Sequence, residues 1–85
     1  MEAVYTISVA AEMLGVGIQT LRSYETRGLV EPARTPGGTR RYRAEDLERI
    51  GRIVALLDAG LNLAGVEMVL VLQDENARLR AQGKE

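Results

Sequence analysis

Hydrophobic positions fall into four groups, separated by glycine, proline and a polar, basic stretch. The first group predicts a short helix over Ser8 to Leu14, with Ala10, Met13 and Leu14 on one face at three- and four-residue spacing. Ser8 is a suitable N-cap, Ile7 before it a staple residue, and Gly15 a stop. Val16 plugs a tight turn, and Gly17 opens a second helix that runs from Ile18 to about Arg27 and ends at Gly28. On that helix Leu21, with Ile18, faces inward, leaving Gln19, Thr20, Arg22, Ser23, Glu25, Thr26 and Arg27 for the other faces. Pro32 enforces extended backbone on Glu31. Pro36-Gly37-Gly38 then reads as a turn between two short antiparallel strands, Arg34-Thr35 and Thr39 to Tyr42, with Tyr42 as their inward anchor.

The C-terminal half is more strongly periodic. Leu47, Ile50, Val54 and Leu57 form an i, i+3, i+7, i+10 stripe, so Ala44 to Ala59 reads as an amphipathic helix. Glu45, Asp46 and Glu48 favour its N-terminal end, and Gly60 supplies its stop. Asn62 caps a further helix from near Leu63, whose apolar face is Val66, Val69, Leu70 and Leu72. Val69, Leu72, Asn76 and Leu79 continue with 3-4-3 spacing, a short heptad seam with a polar Asn at an a position. The fold expected is mainly α with a small β-hairpin: a winged helix-turn-helix, a helical pair and a short C-terminal helix. Residues 1–72 form the main domain in this reading, and residues 73–85 a helical extension that holds a candidate dimerisation seam.

Two helices joined by a short turn containing glycine suggest a helix-turn-helix, although any helical hairpin shares that periodicity. Charge narrows the choice. The chain has 85 residues and a net charge of −1, but residues 20–43 carry six arginines against two glutamates, between two acidic flanks. A localised basic surface of this kind suits a polyanion. Ten of the eleven bases are arginine, which compositional bias explains; the concentration of six of them within 22 residues it does not explain. Gln, Thr, Arg and Tyr side chains hydrogen-bond base edges and phosphates. The candidate contacts on the second helix are therefore Gln19, Thr20, Arg22, Tyr24 and Arg27. Those of the hairpin are Arg34, Thr39, Arg40, Arg41 and Tyr42.

Composition excludes more than it assigns. There is no cysteine and no histidine, which removes disulfides, thiolate and imidazole metal sites, and nucleophiles or bases built on those residues. Ser8, Ser23 and the single Lys84 provide no nucleophile beside a base, so the chain is read as a non-enzyme without cofactor or metal. Leu61 to Leu72, interrupted by Asn62 and Glu67, is too short to span a bilayer, and no signal peptide is visible at the N-terminus. The expectation is a cytoplasmic, nucleoid-associated protein with no membrane partner.

Three sets of residues together resemble the MerR superfamily of transcriptional regulators. They are Tyr5-Thr6-Ile7-Ser8 with Leu14-Gly15-Val16; Thr20-Leu21-Arg22-Ser23-Tyr24-Glu25 with Gly28-Leu29-Val30; and Arg40-Arg41-Tyr42-Arg43 with Asp46-Leu47. Gly60-Leu61-Asn62-Leu63-Ala64-Gly65-Val66 is most similar to the heat-shock repressor (HspR-like) subgroup. The resemblance implies a winged helix-turn-helix that binds an inverted-repeat promoter operator on double-stranded DNA as a homodimer, here as a repressor. It puts Gln19, Thr20, Arg22 and Tyr24 on the recognition helix and Arg40, Arg41 and Tyr42 on the wing. It also implies a chaperone or other protein corepressor, which the subgroup engages through a longer C-terminal tail. Ser23 departs from the family by standing where a second aromatic is common, and Arg43 by standing where Ser or Thr caps the third helix. Metal, thiol or drug sensing has no residues here. An architectural DNA-binding protein of excisionase type and a coiled-coil interaction adaptor are the alternatives.

Overall fold

The computed structural model describes residues 3–83. Its elements run β1 (Val4–Tyr5), α1 (Ile7–Leu14), α2 (Ile18–Thr26), β2 (Ala33–Arg34), β3 (Arg40–Arg43), α3 (Ala44–Asp58) and α4 (Leu63–Gln82). The chain divides into two compact units, one ending at Arg52 and the other beginning at Ile53, so the division falls within α3. Helix α4 runs without interruption across residues 72 and 73.

In the first unit, Thr6 and not Ser8 caps α1. Its backbone is extended and its hydroxyl accepts the Val9 N–H at 3.2 Å, which satisfies one of the orphan donors of the first turn. Ser8 lies inside the helix, and Ile7 is its first residue rather than a staple before the cap. The inward face also differs from expectation. Ala10 and Ala11 are buried, whereas Met13 is 57% exposed. Small side chains at 10 and 11 bring the α1 backbone close to α2 and β3, against which it packs.

Helix α2 buries Leu21 and Tyr24. It ends in a Schellman motif: the Leu29 N–H reaches the Tyr24 carbonyl, the Gly28 N–H reaches that of Glu25, and Gly28 takes the left-handed φ of 75° that the motif requires. The same pair of bonds closes α1 at Gly15 and Val16, and α3 at Gly60 and Leu61. In all three the residue after glycine is apolar, the hydrophobic element that accompanies this cap.

The hairpin joins a three-stranded antiparallel sheet of order β1-β3-β2. Val4 and Tyr5 pair with Arg43 and Tyr42; Ala33 and Arg34 pair with Arg41 and Arg40. The third strand, β1, is absent from the periodicity reading. It also removes the marginality of a lone two-stranded ribbon. The tip is a three-residue loop. The Gly38 N–H returns to the Thr35 carbonyl at 2.9 Å, the Thr35 N–H to that of Thr39 at 2.8 Å, and Gly38 has φ 89°.

The core of this unit comprises Ala10, Ala11, Leu21, Tyr24, Leu29, Val30, Tyr42 and Ile50. Asp46 in the first turn of α3 accepts the Arg43 N–H at 2.8 Å. That is the reaching-back half of a capping box, so the helix is capped although Arg43 has no capping side chain. Arg49 of α3 donates to the Leu29 carbonyl at 2.5 Å, which ties the segment after α2 to α3. On α3 the fully buried positions are Ile50 and Ile53; Leu47, Val54 and Leu57 of the expected stripe are only half-buried.

In the second unit Asn62 caps α4 as expected, accepting the Gly65 N–H at 2.9 Å. Val66 and Leu70 are buried, Val69 is half-buried, and Leu72, expected on the same apolar face, is 63% exposed. Among the described residues, no helix is long and apolar enough to cross a membrane.

Candidate nucleic-acid interface

The burial of Leu21 and Tyr24 fixes which way α2 faces. With 3.6 residues per turn, Gln19, Arg22, Ser23 and Thr26 then share the opposite side, and all four are exposed. This polar stripe has i, i+3, i+4, i+7 spacing, and Arg27 extends it at the C-cap. The Thr26 hydroxyl donates to the Arg22 carbonyl at 2.9 Å, which leaves its acceptor lone pairs outward. Of the expected contacts, Gln19, Arg22 and Arg27 are exposed and Thr20 is half-buried. Ser23 and Thr26 complete the stripe. They were legible from the α2 periodicity once an inward Tyr24 is taken with Leu21.

The two tyrosines correct the expected contact set. Tyr24 is 5% exposed and Tyr42 fully buried. Neither ring lies open at the surface; both position α2 and β3 by packing. Burial of the Tyr42 hydroxyl, followed by the nearby Glu25 carboxylate, holds its pKa above the ordinary tyrosine value.

The hairpin arginines do not all project freely. Arg34 and Arg40 face each other across the β2–β3 ladder, and one carboxylate from α2 holds both. Glu25 accepts from Arg34 Nη2 at 2.7 Å through one oxygen and from Arg40 Nε at 2.5 Å through the other. Arg34 also donates to the Gly38 carbonyl at 3.0 Å. The Arg40 side chain is 24% exposed and that of Glu25 18%. Arg43 pairs with Glu45 at 3.5 Å in a solvent-exposed contact. The guanidinium groups of Arg22, Arg27 and Arg41, by contrast, form no hydrogen bond or ion pair with the described residues. Thr39 at the hairpin tip is exposed, its N–H bonded to the Thr35 hydroxyl at 3.1 Å. A polar stripe on one helix and a basic hairpin joined to it by a shared carboxylate match a recognition helix with an adjoining wing.

The profile of the family described as MerR HTH family regulatory protein matches residues 5–72, most of the chain. The chain belongs to the MerR helix-turn-helix family. It is 46% identical over 83 residues to a Streptomyces coelicolor protein assigned as heat shock protein HspR, covering 96% of this chain and 55% of that protein. The chain thus spans about half the length of that curated relative. A MerR family transcriptional regulator from Bacillus cereus superposes with a TM-score of 0.80 at 27% identity, over 93% of this chain and 61% of that one. HiNmlR, a MerR family regulator lacking the sensor domain and solved on promoter DNA, superposes with a TM-score of 0.73 at 23% identity. That match covers 94% of this chain and 73% of HiNmlR. Among the described residues of this MerR-family chain, no cluster of acidic, histidine or cysteine side chains could hold a metal ion.

Proposed function

We propose that this chain is a sequence-specific DNA-binding transcriptional regulator, a repressor, that recognises an inverted-repeat promoter operator as a dimer. The observation that carries the reading is the exposed stripe Gln19, Arg22, Ser23, Thr26 on α2, beside the free arginines Arg22, Arg27 and Arg41. The stripe has the width and chemistry to enter a major groove. Arg22 at its centre suits a guanine edge, and Gln19 an adenine edge or a phosphate. Arg27, at the end of α2, and Arg41, on β3, suit backbone phosphates. HiNmlR on promoter DNA and the similarity to HspR support this reading. Such a role places the protein in the cytoplasm, on the nucleoid.

One helix and one wing cover a half-site, so specificity over a whole operator requires a second copy. The second unit leaves Met68, Val71, Leu72 and Leu79 more than half exposed along α4, where the Val69-Leu72-Asn76-Leu79 seam lies. This apolar side is the surface through which two copies join.

The test is selection of bound fragments from the source genome, followed by titration of Arg22→Ala on the enriched sequence and on random DNA. The variant is expected to lose about 1–3 kcal/mol on the enriched sequence and far less on random DNA. An equal loss on both would make Arg22 a phosphate contact, and failure to enrich any sequence would overturn the reading.

A further inference from the structure

We infer that Glu25 determines how much of the wing's charge is available to DNA, and so sets the balance between specific and non-specific binding. The inference rests on the DNA-binding reading above. Glu25 is one of only two acids among the six arginines of residues 20–43, and the other, Glu31, lies outside α2. Its two oxygens take one guanidinium each, from opposite strands of the hairpin. Arg34 and Arg40 are cross-strand partners, and like charges directly opposite repel. A single carboxylate between them removes that repulsion and closes the hairpin onto the helix that carries the base-reading stripe.

Two consequences follow. The relative position of wing and recognition helix is set by two charge-assisted hydrogen bonds to one carboxylate, the Arg40 bond part-buried at 24% side-chain exposure and the Arg34 bond more open at 46%. Phosphate attraction is also reduced, because Glu25 holds two of the four hairpin arginines, Arg34 and Arg40. Sequence-independent affinity grows with each phosphate that a cation neutralises, so holding two cations back lowers binding to random DNA more than binding that depends on the α2 stripe. Glu25 is thus a positioning residue that favours discrimination over total affinity.

The experiment compares the full chain with Glu25→Gln and with the charge-balanced triple variant Glu25→Gln/Arg34→Gln/Arg40→Gln. Each is titrated across a salt series on an enriched genomic sequence and on random DNA of equal length. Glu25→Gln should bind random DNA on the order of threefold to tenfold more tightly at low salt, with a log–log salt slope steeper by about 1–2. Its specific-to-random ratio should fall. The triple variant should return to the wild-type slope on random DNA, since neither arginine reaches a phosphate in the wild type. An unchanged slope and ratio in a folded Glu25→Gln would overturn the inference. If that variant does not fold, a triple-variant slope shallower than wild type would do so, by showing that Arg34 and Arg40 already contact DNA. Wild-type protein without salt-dependent DNA binding would instead remove the interface itself, and the inference with it.

Discussion

Tyr42 joins two roles that one residue rarely combines. Its ring fills the centre of the first unit, while its hydroxyl is buried without a hydrogen-bond partner among the described residues. An unpaired buried hydroxyl costs free energy that a ring alone would not, so Tyr42→Phe should be neutral or stabilising by about 1 kcal/mol near neutral pH. The pH dependence has a definite sign. The hydroxyl's pKa lies above its ordinary value of about 10, because burial and then Glu25 disfavour the phenolate. Folding therefore favours the protonated form, and its contribution is complete below pH 10 and lost as pH rises beyond it. Denaturant unfolding in mildly and strongly alkaline buffer should show a steeper alkaline loss for wild type than for Tyr42→Phe; equal losses would remove Tyr42 as the cause. The inward place of Tyr42 was readable from the hairpin's alternation. That of Tyr24 was not, because a tyrosine on a polar helix reads equally as a contact or as an anchor, and only the neighbouring Leu21 decides it. Glu25 was legible as an acid among bases, but its partners come from a hairpin nine and fifteen residues away in sequence, beyond the reach of helical periodicity.

At the scale of elements, the ends of α1, α2 and α3 at Gly15, Gly28 and Gly60 were readable, because the left-handed cap is a local requirement met within the last turn. Helix starts were less so. Thr6 and Ser8 are both competent N-caps two residues apart, and the strand pairing of Val4–Tyr5 decides between them by making Thr6 the corner. The α3 stripe was read as i, i+3, i+7, i+10, yet Ile50 and Ile53 form its deepest part. Charged neighbours disguise that pair, since Arg49 and Arg52 flank it with long side chains that are themselves half-buried. The last helix is the element whose sequence carries two messages. Val66 and Leu70 satisfy burial within the unit, and Leu72 and Leu79 remain at 63% and 51% exposure. Apolar side chains left on a second face are the surface proposed above to join two copies. Replacing Leu72 and Leu79 together with Asp should abolish cooperative loading of a two-half-site operator and leave single half-site binding and helix content intact. Sedimentation with paired titrations measures both. Undiminished cooperativity would move the contact between copies away from the seam.

Across the whole molecule, a net charge of −1 conceals a basic segment set between acidic ones, and the fold refines that contrast further. Of the six arginines in the segment, two are held by Glu25 and one by Glu45, so the charge that reaches solvent unpaired is that of Arg22, Arg27 and Arg41. The number of phosphates this surface neutralises should be correspondingly small, and the free chain should associate only weakly through a seam of two heptads. In the proposed reading DNA should hold two copies together by linkage, as a ligand that binds the paired state in preference. The most direct test titrates the chain against an enriched genomic site, against one half of that site, and against random DNA of equal length, with the bound stoichiometry read by sedimentation. The prediction is two copies loading cooperatively on the full site, one copy binding more weakly on the half-site, and random DNA binding weakest of all. Equal affinity for all three, with no fixed stoichiometry, would contradict sequence-specific recognition and leave only a basic surface with general affinity for nucleic acid.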